Sequence, residues 1–173
     1  MFSFIKRIGE LGPIILFATS IFFLRNKYSY LFYYVVFFII SLILNLVLKS
    51  WIQEPRPSIN PKIFQQMIKS KDRFITKHGM PYDIFGLPSG HSQSVIYSTF
   101  YVFYCLQDYK VLIFYLIISL ITLFQRVIDN HHTIKQILVG SLIGLILAII
   151  GYKLAKSNIE GKKTRKKEDY GPM

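Results

Sequence analysis

The stretch from Tyr28 to Leu48, YSYLFYYVVFFIISLILNLVL, contains no charged residue. At ~1.5 Å per helical residue it is long enough to cross a hydrocarbon core of about 30 Å, so it reads as a membrane span. The same pattern extends on both sides. Between Leu11 and Leu48 the only charges are Arg25 and Lys27, and between Gln93 and Tyr152 only Asp108, Lys110, Arg126, Asp129 and Lys135. Apolar blocks with charges at their seams predict an all-α, polytopic membrane bundle of about five helices.

Composition agrees. The chain has 173 residues, 52% apolar and only 17% charged, with 21 Lys plus Arg against 9 Asp plus Glu for a net charge of +12. Soluble domains carry about 25% charged residues. Disorder requires low hydrophobicity, and a nucleic-acid binder would hold its basic residues on a soluble face, so neither class fits and no nucleic-acid partner is expected. A single cysteine, Cys105, excludes a disulfide framework and is expected to pack in the core.

Residues 1–154 are expected to form one membrane domain. Ile137 to Leu154 reads as a span whose Gly140 and Gly144 permit close helix packing. Val95 to Leu106 and Val111 to Phe124 suit an antiparallel helical hairpin. Leu11 to Leu24, broken near its start by Gly12 and Pro13, fits a first span or a half-buried amphipathic helix. In the long connection from Lys49 to His91, Asn60 is an N-cap, Pro61 suits the first helical position, and Ile63, Phe64, Met67, Ile68, Phe74 and Ile75 recur on one face. This predicts an amphipathic helix at the headgroup surface. From Ala155 to Met173 the chain reads as a basic flexible tail attracted to anionic lipid.

Counting crossings places three polar islands on one membrane face. Lys49 ends one span, Ser89 to His91 begin the next, and Arg126 and His132 follow two further crossings. The converging inventory is Lys49, Arg56, Ser89, Gly90, His91, Arg126 and His132. Cations and a helix N-terminus suit an oxyanion, and Arg supplies planar forks for phosphate oxygens. Of two histidines, one can attack and the other protonate the leaving oxygen. Phosphoryl transfer to histidine followed by hydrolysis is the chemistry favoured. Glu54, Asp83 and Asp129 show no metal-ligand spacing, so neither metal nor other cofactor is expected. His78, His131, Asp129 and Glu54 read as structural or local, and the aromatic residues of 28–38 and 97–104 as lipid-facing or interfacial.

These residues resemble the type 2 phosphatidic acid phosphatase family, whose motifs are K-x6-RP, PSGH and SR-x5-H-x3-D. Lys49-SWIQEP-Arg56-Pro57 and Pro88-Ser89-Gly90-His91 match the first two in full. In the third, Arg126 and His132 keep their spacing, while Gln125 replaces Ser and Gln136 replaces Asp. The resemblance covers Lys49 to Gln136 and implies a metal-independent membrane phosphatase acting on a lipid phosphate or diphosphate. It makes His132 the nucleophile and His91 the general acid, with Lys49, Arg56, Arg126, Ser89 and the Gly90 backbone holding the phosphate. Gln136 keeps the i, i+4 spacing, so its amide oxygen can accept the imidazole N–H, yet it supplies no negative charge. That departure leaves room for a slower enzyme or an inactive lipid-binding relative. IQEPRP, GMP, PSGHSQ and HT-x2-Q look like the dolichyl diphosphatase branch, where Gln stands at the Asp position. The spacer YDIFGL departs from it. This branch implies hydrolysis of a polyprenyl diphosphate to its monophosphate.

The islands' side carries 11 Lys or Arg against 10 on the other, and 8 against 10 once Lys49, Arg56 and Arg126 are assigned to the site. The basic cluster close to the last span therefore suggests a cytosolic tail and a lumenal or extracytoplasmic site in an endomembrane such as the endoplasmic reticulum.

Overall fold

The computed structural model describes residues 2–69 and 84–168. Among these the chain forms six α-helices: α1 (Phe2–Leu24), α2 (Tyr28–Ile52), α3 (Pro61–Lys69), α4 (Gly90–Leu106), α5 (Tyr109–Ile128) and α6 (Ile134–Glu168). Four of them, α1, α2, α5 and α6, are long and apolar enough to cross a membrane. The expected all-α membrane bundle is the architecture observed.

The short helix α4 lies at its centre, packed against α1, α2, α5 and α6. Its 17 residues span about 25 Å. Enclosed by four helices, it meets little lipid, so its polar side chains need partners inside the bundle rather than an apolar replacement. Thr99 Oγ1 donates to the Val95 carbonyl at 2.7 Å and shares a hydrogen bond with Ser119 Oγ at 2.9 Å. Ser98 Oγ meets Tyr34 Oη at 2.8 Å. The surrounding helices turn narrow stripes inward and leave Ile39, Ile43, Leu120 and Leu142 exposed as a lipid-facing surface.

On α6 the inward stripe is Gln136, Ile137, Gly140, Gly144, Leu147, Ala148, Gly151 and Ala155, which recur at steps of three or four residues apart from the adjacent pairs 136/137 and 147/148. A Cβ at Gly140 would collide with the Ser89 carbonyl and Ser92 Oγ, and one at Gly144 with the Gln93 carbonyl. The two glycines therefore set the close approach of α6 to α4, the packing their spacing predicts. The stripe also carries α6 beyond Leu154: Ala155 is buried, and helix continues to Glu168 where a flexible tail was expected. Ala, Lys and Arg are good helix formers, which favours this continuation.

Helix α1 passes unbroken through Gly12 and Pro13 and is a full member of the bundle. Gly12 does not mark a break. A Cβ there would strike Thr122 Oγ1, and one at Gly9 would lie 2.6 Å from Gln125 Cβ, so these glycines bring α1 onto α5. Tyr34, Phe37, Tyr97 and Tyr101 are buried core residues, correcting their assignment to the lipid interface. The tyrosine hydroxyls find partners inside the bundle: Tyr97 donates to the Tyr34 carbonyl at 2.8 Å and Tyr101 to the Tyr30 carbonyl at 2.7 Å. Cys105 is buried in the same core.

The expected surface helix is present as α3. Asn60 Oδ1 accepts from Lys62 N at 2.9 Å as its N-cap, and the Phe64 ring meets Phe85 edge-on at 6.1 Å. The predicted continuation through Phe74 and Ile75 lies outside the described residues, as do His78, Asp83 and the GMP segment.

Candidate active site

The end of α2, the segments flanking α3, and the N-terminus of α4 are joined by backbone hydrogen bonds. At the C-terminus of α2, Gln53 adopts φ 52° and donates its N–H to the Lys49 carbonyl at 3.0 Å. The next residues pair antiparallel with the chain that leads into α4: Gly86 N–H to the Glu54 carbonyl at 2.7 Å, and Arg56 N–H to the Ile84 carbonyl at 3.2 Å. The first motif is thus held against the second although about 30 residues separate them in sequence.

The second motif opens α4. Leu87–Pro88 is a cis peptide. Ser89 is the N-cap, its Oγ accepting from Ser92 N at 3.4 Å, while its own N–H donates to the Gln136 carbonyl at 3.2 Å. Gly90 and His91 fill the first two helical positions, whose N–H groups have no carbonyl to bind within the helix and form a natural anion cradle. Beneath them, Asn45 Nδ2 donates to the Pro88 carbonyl at 3.3 Å and to Gln93 Oε1 at 2.8 Å. Gln93 Nε2 in turn donates to the Ser41 carbonyl and hydroxyl, each at 2.8 Å. This buried network fastens α4 to α2. Asn45, Ser41 and Gln93 were not singled out from sequence, although Ser41, Asn45 and Lys49 recur every fourth residue on an otherwise apolar helix.

The third motif closes α5 and opens α6. The N–H groups of His131 and His132 both donate to the Arg126 carbonyl at 3.1 Å, which turns the chain sharply. His132 is buried at 2% exposure between this turn and the 84–86 segment. Its Nδ1 lies 2.9 Å from the Gly86 carbonyl and 3.3 Å from Gln136 Oε1. Both partners are acceptors, so Nδ1 carries the proton and Nε2 keeps its lone pair. The Gln136 amide orientation follows from its other contacts. Nε2 donates to Glu54 Oε1 at 2.9 Å and to the Pro55 carbonyl at 3.0 Å, and Oε1 accepts the Thr133 N–H at 3.2 Å.

Lys49, Arg56 and Arg126 lie close enough to act electrostatically on both His91 and His132. Burial, then the charges of Arg56, Arg126 and Lys49, hold His132 well below the ordinary imidazole range, so the ring is neutral at pH 7. His91 Nε2 lies 3.2 Å from the Glu10 carbonyl of α1. That bond needs a proton on Nε2 and leaves Nδ1 as the basic nitrogen. All eight residues expected at the site, Gln136 included, gather at this one end of the bundle. Ser89 Oγ serves as a helix cap, a role compatible with its N-terminal position.

Of the carboxylates read as structural or local, one is refined by the structure and the other stands. Glu54, read as structural or local, reaches far along the chain: it holds Gln136 and also pairs with Lys135 Nζ at 2.8 Å. Burial raises its proton affinity, but the hydrogen bonds from Lys135 and Gln136 outweigh this and keep its carboxyl below the usual range. Asp129 is structural as read: it binds Lys6 at 2.6 Å and Gln125 Nε2 at 2.8 Å, joining α1 to α5.

No curated protein and no solved structure gives a significant match to the chain. The PAP2 superfamily model matches residues 30–160, about three quarters of the sequence and every site residue described above. With the site's basic and imidazole groups gathered at one end of a membrane bundle, the chain belongs to the PAP2 superfamily, whose members are phosphatases.

Proposed function

We propose that the protein hydrolyses a polyprenyl, dolichyl-type diphosphate to its monophosphate in the membrane, through a phosphohistidine at His132. The observation that carries a lipid-linked substrate is a groove of about 450 Å³ beside the site, lined by Glu10, Pro13, Ile14, Phe17, Phe38, Leu42, Gly90, His91 and Ser94. Its apolar walls suit a hydrocarbon chain, and its His91 end meets the cationic cluster where a phosphate would sit.

In the first step the His132 Nε2 lone pair attacks the terminal phosphorus. A P–N bond forms as the P–O bond to the lipid monophosphate breaks, and His91, charged as imidazolium once the negative charge of the bound diphosphate offsets the neighbouring Arg126, Arg56 and Lys49 cations, passes its Nδ1 proton to that oxygen. In the second step His91 takes a proton from water as the water oxygen attacks phosphorus. The P–N bond breaks, inorganic phosphate leaves and His132 returns to the neutral ring. Lys49, Arg56 and Arg126, with the Gly90 and His91 N–H groups, stabilise charge on the phosphoryl oxygens in both steps. Gln136 holds His132 in the Nδ1-protonated tautomer. The basic residues close to the end of α6 favour a cytosolic C-terminus, with the site on the lumenal or extracytoplasmic face of an endomembrane.

Phosphate release from polyprenyl diphosphate, polyprenyl monophosphate and phosphatidic acid, in detergent with a chelator, tests this reading. The diphosphate is expected to be preferred and the chelator to have no effect. Preference for phosphatidic acid would replace the substrate, loss of activity with chelator would exclude the metal-free route, and release from none of the three would point to an inactive lipid-binding relative.

A further inference from the structure

The aspartate of the family's third motif supplies a negative charge behind the nucleophilic imidazole, and Gln136 cannot. The charge is nevertheless present one group further out. Gln136 Oε1 lies 3.3 Å from His132 Nδ1, and Gln136 Nε2 donates to Glu54 Oε1 at 2.9 Å. The other acceptor of His132, the Gly86 carbonyl, belongs to a residue whose N–H donates to the Glu54 backbone carbonyl at 2.7 Å. Both acceptors on Nδ1 are thus held by the same residue, one through its side chain and one through its backbone.

Resting on the phosphohistidine reading above, we infer that Glu54 is a positioning residue that stabilises the cationic His132 through Gln136, in the order carboxylate, amide, imidazole. Donation from Nε2 to a carboxylate polarises the amide and makes Oε1 a stronger acceptor for Nδ1–H. The benefit appears when Nε2 bonds to phosphorus and the ring becomes positive, so it acts on the transition state more than on the bound substrate.

Several charged groups face this chain. Lys49, Arg56 and Arg126 oppose a positive His132, which makes a compensating anion valuable. Lys135 pairs with the other Glu54 oxygen, but its side chain is 68% exposed and solvent screens much of that interaction. The Gln136 side of the carboxylate is the sheltered one, since Gln136 is 1% exposed.

The competing explanation is that Glu54 merely clamps the first motif to α6. Glu54→Gln separates the two, because it keeps an acceptor for Gln136 Nε2 and removes only the charge. We expect kcat to fall about tenfold, the size of one remote charge at intermediate dielectric, with KM unchanged. In a Gln136→Asp background, where a carboxylate is again next to His132, the same change should cost less than about twofold. Unchanged kcat in Glu54→Gln, an equal loss in both backgrounds, or loss of monodisperse elution by Glu54→Gln would overturn the inference. Wild-type enzyme run on the substrate panel keeps the two claims apart. An inactive wild type defeats the proposed activity itself, whereas an active wild type with an indifferent Glu54→Gln defeats only the relay.

Discussion

The two halves of the bundle use polar residues in opposite ways. In the half away from the site, each polar group shown is neutral or reaches a nearby backbone acceptor: Tyr97 and Tyr101 donate to α2 carbonyls, and Lys27 Nζ donates to the Cys105 carbonyl at 2.8 Å. At the site end, cations and imidazoles are gathered around helix termini, where their fields add. Hydrogen bonds of the first kind hold helices together, and charge concentrations of the second kind cost stability unless an anion arrives. The difference puts the proposed chemistry at the charged end, although the Ser41–Asn45–Gln93 network there also fastens helices, and it can be broken by substitutions on either side.

The largest effect is expected at His132. His132→Ala removes the only nitrogen proposed to form a bond to phosphorus and should lower turnover by more than about 10³-fold. Trapping of labelled phosphohistidine in acid-free quenches would fall to background. Turnover within tenfold of wild type would place the nucleophile elsewhere.

Arg56→Gln comes next, since a charge-assisted phosphate contact is worth about 1.5–3 kcal/mol, roughly a tenfold to hundredfold loss in kcat/KM. Its pH profile is more informative. Arg56 is one of the charges that hold His132 below the ordinary imidazole range. Attack needs the neutral ring, so in the wild type the acid limb lies below pH ~6.5. Removing the cation lets the His132 pKa rise, and the acid limb should move to higher pH. A limb that stays or moves down would separate Arg56 from His132.

Much of this was legible in the sequence, for reasons that differ by element. Spans follow from length and composition, and convergence of Lys49, Ser89, His91, Arg126 and His132 on one face follows from counting crossings, which needs no tertiary information. Glu54 was not legible. Its partner Gln136 is 82 residues away, and only the pairing of 54–56 with 84–86 makes them neighbours. The first helix looked doubtful because Gly12 and Pro13 break local propensity, whereas the contact of Gly12 with Thr122 on α5 is a tertiary effect that overrides it. The aromatic residues failed for the same reason. A span pattern says which residues are apolar, not which of its faces meets a central helix.

Two glycines on α6 sharpen the comparison of halves. A Cβ at Gly140 would meet the Ser89 carbonyl, a backbone atom of the site, whereas one at Gly151 would come within 3.0 Å of the Phe37 ring and 3.2 Å of Tyr101. Both Gly→Ala changes should destabilise by about 1–3 kcal/mol through overpacking. Gly140→Ala should also cost about tenfold in kcat, because the N-terminus of α4 must shift to relieve it and small misplacements of reacting groups are costly. Gly151→Ala should leave kcat within twofold. Thermal midpoints in detergent with initial rates decide this, and equal catalytic losses in both variants would mean that the halves move as one.

The smallest effect tests the far half alone. Tyr101→Phe keeps the ring packed against Tyr34 and Tyr97 and removes only the hydroxyl that donates to the Tyr30 carbonyl. The ordinary net value of such a bond is about 0.5–1.5 kcal/mol, or roughly 2–4 °C in midpoint per kcal/mol for a chain of this size. Lipid surroundings offer the freed carbonyl little water, so the upper part of that range is expected. Because the lost hydrogen bond lies on the far side of Gln93 and Asn45, the network that fastens α4 beneath the site remains whole, and kcat and KM should not change. A catalytic loss in Tyr101→Phe would show that the site depends on the entire length of α4, and the division between a stabilising half and a reacting end would have to be given up.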